Sequence, residues 1–173
     1  NKEEEHSPLR DAREFAILIE SCIKSGNYGI ALAICLGDRD KMLLDAEALM
    51  EKYKKNINKC LISVLNDEDI IIETTKSFII KVDGFVKEEL MSKISSILSK
   101  IKRFENKIII LKSNTAESEV IFHIMSNSKQ NSSVNIGEII FECSNQIGGI
   151  GIGSKFDGKA KIPLSKSEEF IKL

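Results

Sequence analysis

Tryptophan is absent from this 173-residue chain, histidine occurs twice and proline twice, and the four cysteines form no C-x-x-C pair. Each scarcity removes a class of chemistry. With His6 near the start and His123 inside an apolar run, no D-H-H or H-x-x-x-H group exists to hold two hydrolytic metal ions. Cys22, Cys35, Cys60 and Cys143 are far apart and sit in apolar helical contexts, which reads as reduced, buried thiols in a cytoplasmic protein. Charge of one sign is also lacking. Twenty-five basic residues against twenty-six acidic ones leave a net charge of −1, so no global field draws the chain to nucleic acid or to a membrane. No apolar run reaches the length of a membrane span, and Asn1–Arg10 is too acidic and polar for a signal peptide.

What is present is ordinary globular composition, 42% apolar and 29% charged, enough for one domain with a real core. Asp11 with Glu14 reads as a capping box opening a helix through Phe15, Leu18, Ile19, Cys22 and Ile23. Gly26-Asn27 ends it. A short helix over about Tyr28 to Leu36 is apolar on most sides and is expected to be buried. Asp40 caps a long amphipathic helix carrying Met42, Ala46, Leu49, Met50, Tyr53, Ile57, Cys60, Leu61 and Val64 on one stripe.

The period then changes. Asp69–Thr74 and Ser77–Val82 read as a hairpin, Val86 to Leu98 as a helix, and Lys107–Leu111 and Glu119–Met125 as two further strands. Lys93, Lys100, Lys102, Arg103, Lys107 and Lys112 make this the most basic segment. Asn135 with Glu138 forms a second capping box, before a helix striped by Ile136, Ile139, Ile140, Cys143 and Ile147. Lys159–Ile162 is a last strand and Ser165–Leu173 a short terminal helix. The expected fold class is α/β: a helical front at about 9–66, then a mixed β-sheet flanked by helices at about 67–173, all one domain.

Five of the ten glycines fall between Gly148 and Gly158. Gly148, Gly149, Gly151 and Gly153 can bring backbone N–H groups close to a phosphate, or can simply make a turn between a helix and a strand. The stretch lacks a Walker lysine. It follows a helix and precedes a strand, the reverse of a dinucleotide fold. Ser154 has no evident base to activate it. Lys155, Lys159 and Lys161 flank the glycines, and positions 159 and 161 share one face of a strand, an arrangement suited to a phosphodiester backbone. Lys100, Lys102 and Arg103 would extend that track if the fold brought them near.

From Gly148 to Pro163 the chain reads G-G-I-G-I-G-S-K-F-D-G-K-A-K-I-P. This resembles the C-terminal signature of the DHH phosphoesterase superfamily, roughly G-G-x-G-G-G-H-x-x-A-A-G-A-x-I-P, in its DHH-associated domain. Pro8–Phe15 and Gly29–Arg39 look like the segment that opens this domain in archaeal RecJ-like nucleases, and Val82-Asp83-Gly84 also fits. The departures are informative. Ser154 stands at the family histidine, Ile152 at the middle glycine of the triplet, Asp157 and Gly158 at two alanines, and Lys159 at the next glycine. Where many active members place a phosphate-binding arginine, only Lys129 is available. The metal-binding catalytic domain of the family lies outside these residues.

The resemblance therefore implies a non-catalytic RecJ-like DNA replication factor, similar to the crenarchaeal form related to the RecJ-derived subunit of the eukaryotic replicative helicase. Its implied partners are the GINS complex, the MCM helicase and single-stranded DNA, with no cofactor, metal or membrane. The implied nucleic-acid contacts are Gly148, Gly149, Gly151, Gly153, Ser154, Lys155, Lys159, Lys161 and Lys129. The alternative is the substrate-binding C-terminal half of a DHH-family single-strand exonuclease or phosphoesterase. The related C-terminal domain of alanyl-tRNA synthetase shares a glycine-rich signature, but the matches near the start favour RecJ.

Overall fold

The computed structural model describes residues 7–126 and 135–172, so Lys129 lies outside the described residues. The chain divides into two compact units, Asn1–Lys59 and Cys60–Leu173.

The first unit is helical. Helix α1 spans Ala12–Lys24 and α2 spans Tyr28–Cys35. Helix α3, Lys41–Asn66, begins in this unit and runs on past its boundary. Leu18, Cys22, Ala31, Ile34, Ala46 and Met50 form its core. Asp11 caps α1 by accepting from the Arg13 N–H at 2.7 Å, and Arg13 folds its guanidinium back onto the same carboxylate. The expected capping box does not close, because Glu14 turns to Lys54 at 3.1 Å.

Helix α2 is not buried as its composition implies. Ala31 and Ile34 point inward, while Tyr28, Leu32 and Leu36 are each at least 60% exposed. An apolar helix buries only the stripe its neighbours cover, and here that stripe is Ala31 and Ile34, two of eight residues. The cysteines likewise divide. Cys22 and Cys60 are buried, Cys143 is half-buried, Cys35 is exposed, and none of the four forms a disulfide.

The second unit is a six-stranded mixed sheet. Its strands are β1 (Ile71–Glu73), β2 (Ser77–Lys81), β3 (Ile108–Asn114), β4 (Glu119–Met125), β5 (Ile150–Gly153) and β6 (Asp157–Pro163), in the order β1-β2-β3-β4-β6-β5. The β1–β2 hairpin turns at Thr74–Ser77, but β1 is shorter than expected because Glu68–Ile70 winds into a 3-10 turn. Only β2 and β3 run parallel, and the crossover between them carries helix α4, Glu88–Leu98.

The period of two sorts the strands. Phe78, Ile80, Ile109, Leu111, Ile121 and His123 fall on one face with the α4 residues Leu90, Met91, Ile94 and Leu98 buried against it. Val120, Phe122, Ala160 and Ile162 fall on the other, covered by α5 (Ile136–Gln146) and α6 (Ser167–Lys172). His123 is buried, its Nδ1 3.0 Å from the Ser95 Oγ of α4. It serves as a polar tie between helix and sheet.

Candidate nucleic-acid interface

The glycine stretch is not a single loop. Gly148, with φ +75°, ends α5; the next residues form the outer strand β5; and Ser154-Lys155-Phe156 make the turn into β6. Close approach explains most of these glycines. A Cβ on Gly151 would sit 2.6 Å from the Ile140 carbonyl and 2.5 Å from the Ser144 Oγ, both on α5. Gly137, on the first turn of α5, faces Gly153 in the same way, with a Cβ 2.8 Å from the Gly153 carbonyl. Helix α5 thus lies directly on β5, backbone against backbone, as few side chains would permit.

The backbone donors can be followed one by one. Gly148 N–H donates to the Asn145 carbonyl at 3.3 Å and Gly149 N–H to the Ser144 carbonyl at 2.8 Å. Ser154 N–H donates to the Asp157 carbonyl at 2.7 Å, which sets the phase of the β5–β6 ladder. Ile152–Lys159 and Ile150–Lys161 are therefore the hydrogen-bonded pairs, and the amides of Gly151 and Gly153 point away from β6. Gly151 is buried under α5; Gly153 is exposed.

The start of α5 is similarly committed. Ile136 N–H donates to the Lys155 carbonyl at 3.1 Å, Gly137 N–H to the Ser154 carbonyl at 2.8 Å, and Glu138 N–H to the Asn135 side chain at 3.4 Å. The turn itself plugs the helix terminus that would otherwise attract an anion.

Between α5 and β5 runs an open groove of about 450 Å³, lined on one side by Gly137, Glu138 and Phe141 and on the other by Ile152, Gly153 and Lys155. Phe141 is 56% exposed. It escaped the sequence reading because it lies off the buried stripe of α5, where a lone aromatic carries no signal. Phe156, in contrast, is only 37% exposed, and the Lys155 ammonium lies 5.6 Å from its ring centre.

The lysines fall where the strand period places them. Lys159 and Lys161 share the sheet face that also carries the exposed Ile150 and Ile152. Both are already ion-paired. Lys159 bonds to Glu88 at the start of α4, and Lys161 bonds to Glu119 with Glu117 at 3.7 Å. The Glu119 hydrogen bond, with lesser help from Glu117, raises the Lys161 pKa. Ser154 Oγ donates to the Asp157 carboxylate and accepts from the Phe156 N–H at 3.4 Å, a pattern that fixes the turn.

Arg103 and Lys107 of the basic segment do not join this site. Arg103 forks onto Glu68 with both bonds at 2.6 Å, and Lys107 reaches Glu73 at 2.6 Å. Both acids belong to the β1 side of the sheet, and β1 and β5 are its two outer strands, roughly 24 Å apart at about 4.8 Å per strand. Among the described residues no group of three or more His, Cys, Asp or Glu is placed to hold a metal ion, and no helix is long and apolar enough to cross a membrane.

No family model and no curated protein matches the sequence. Solved structures do match in fold. RecJ from Thermus thermophilus, solved with Mn2+, matches at 13% identity and TM-score 0.70, covering 93% of this chain and 23% of that one. CDC45 from Entamoeba histolytica matches at 15% identity and TM-score 0.65, covering 91% and 36%. A pGpG-specific phosphodiesterase from Vibrio cholerae matches at 14% identity and TM-score 0.55, covering 92% and 55%. The chain spans between about a quarter and about half the length of these neighbours. Its helical front and mixed sheet are thus a fold shared with part of RecJ, CDC45 and DHH-domain proteins.

Proposed function

We propose that the chain is a non-catalytic, RecJ-like DNA replication factor that works by binding, associating with the GINS complex and the MCM helicase and touching single-stranded DNA. The observation that carries this reading is the shared fold with both RecJ and CDC45 over more than nine tenths of the chain, together with Ser154 at the signature histidine. Ser154 is spent on the turn through Asp157, which gives it a structural role in place of chemistry.

The DNA contact we propose is the β5–β6 face, where Lys155, Lys159 and Lys161 supply charge and the outward Gly153 amide a hydrogen bond. Gly148, Gly149, Gly151 and Ser154 shape that surface. Binding of this kind is weak and steeply salt-dependent, because each phosphate contact releases condensed counterions. A cytoplasmic, archaeal setting belongs to the same proposal. The test is a pull-down from the source cells with the whole protein as bait. Recovery of GINS and MCM supports the reading, and recovery of neither refutes it.

A second reading rests on the RecJ and phosphodiesterase neighbours, of which this chain matches 23% and 55%. In that reading it is the substrate-gripping part of a DHH-family single-strand exonuclease or phosphoesterase. Manganese-dependent degradation of single-stranded DNA by the purified protein decides for it.

A further inference from the structure

The sheet face under α5 and α6 is not filled by the side chains that cover it. A cavity of about 150 Å³ remains there, open to the surface on one side, where Ile139 is exposed. Ile110 and Ile124 of the sheet, Ile140 and Cys143 of α5, and Phe170 and Ile171 of α6 bound it. Of its ten lining residues nine are isoleucine or phenylalanine, and the tenth is Cys143. Burial, then Glu142, pushes the Cys143 thiol up, so this wall is neutral at physiological pH. Protein interiors are packed nearly as densely as organic crystals, and a gap of this size forfeits contacts along the apolar walls that bound it. Water gains little there, since it needs two to four polar partners.

We propose that this cavity is a binding site for one small, neutral, apolar molecule of about the size of a methyl-substituted benzene ring. Size sets the scale, because an apolar cavity of about this volume accepts a single aromatic ring such as benzene, and the open side leaves room for a methyl group. Lining chemistry sets the class: nothing in the walls can pair with a phosphate, a carboxylate or an ammonium. The site is separate from the lysine face of β5 and β6, so it stands whether or not the chain binds DNA or replication proteins.

The probe is toluene, titrated into the whole protein with 13C-labelled isoleucine δ1 methyls. The expected result is a saturable shift confined to the lining methyls, such as Ile110, Ile124, Ile140 and Ile171, and a toluene-dependent rise in Tm. Benzoate, which carries a charge on the same ring, leaves those methyls unmoved. Cys143→Phe fills the space and weakens toluene binding by about tenfold or more, with Cys143→Met as a milder filling variant should the first fold poorly. The proposal is overturned by any of four results. The lining methyls do not shift; the shifts fall equally on exposed Ile23, Ile150 and Ile152; benzoate binds as well as toluene; or both filled variants bind toluene unchanged.

Discussion

If the β5–β6 face touches DNA, the acids that hold its lysines should restrain it. Lys159 and Glu88 have side chains 40% and 48% exposed, and Lys161 and Glu119 are 41% and 34% exposed. A phosphate arriving at either lysine must displace a carboxylate. A solvent-exposed ion pair holds its partners by a factor of only about 1.5 to 5. Removing the competition at both lysines should therefore strengthen binding by roughly 2- to 25-fold, if the two pairs act independently. The double variant Glu88→Gln, Glu119→Gln keeps shape and hydrogen-bonding capacity while deleting two negative charges. Its binding should also become more sensitive to salt, with the slope against the logarithm of salt steeper by about 0.7 for each phosphate newly contacted. Fluorescence anisotropy with labelled oligo-dT between about 50 and 200 mM salt reads both quantities. Charge reversal at Lys155, Lys159 and Lys161 should do the opposite, weakening binding and flattening the slope. Should the glutamine variant bind no better and the reversal variant no worse, the lysine face is not a nucleic-acid surface, and the glycine hairpin is a structural inheritance alone.

Three further outcomes follow from the packing and the titrating groups. Gly151→Ala should destabilise the sheet unit by about 1–3 kcal/mol through its clash with Ile140 and Ser144, whereas Gly29→Ala, on an exposed helical turn with open space around it, should be neutral or stabilising; thermal denaturation compares the two. Burial, then the Glu20 hydrogen bond, raises the Tyr53 phenol far above its ordinary value. That contribution to stability is full below the unfolded pKa of about 10 and is lost as pH rises beyond it, so Tyr53→Phe should flatten the alkaline limb of a stability–pH curve. Among the thiols, Cys35 should react first with iodoacetamide, and Cys22, buried and with its pKa raised by burial, should be slow; mass spectrometry of partly alkylated protein gives the order.

The fold was legible where periodicity was strong. The stripes of α1, α3, α4 and α5 and the alternation in β6 each appear where the spacing puts them. Two local expectations failed for one physical reason, that pattern reports what a segment can bury and not what is beside it. Helix α2 is apolar all round yet buries Ala31 and Ile34 and leaves Tyr28, Leu32 and Leu36 exposed. Glu14 had the spacing of a capping box but found Lys54, forty residues away in sequence. Ion pairs across such distances have no sequence signal. The same blindness hid Glu88 and Glu119 from any reading of Lys159 and Lys161 as free cations.

The glycine hairpin shows how the stretch that resembles a family signature is built into the fold. The amides of Gly148 and Gly149 go to the end of α5, and the carbonyls of Ser154 and Lys155 go to its start. The glycines at 137, 151 and 153 then let the helix settle on the strand with no intervening side chains. One stretch therefore caps both ends of α5 and clamps its middle. That packs the strand pair carrying Lys159 and Lys161 against the helix. If this face binds DNA as proposed, a surface already packed in place loses little conformational entropy when a strand arrives, and the weak attraction of a few screened lysines is not spent on ordering the backbone. Loosening the clamp, for instance by Gly137→Ala, should then weaken DNA binding even though position 137 carries no charge. Equal binding by a folded Gly137→Ala protein would show that rigidity of the hairpin contributes nothing to recognition.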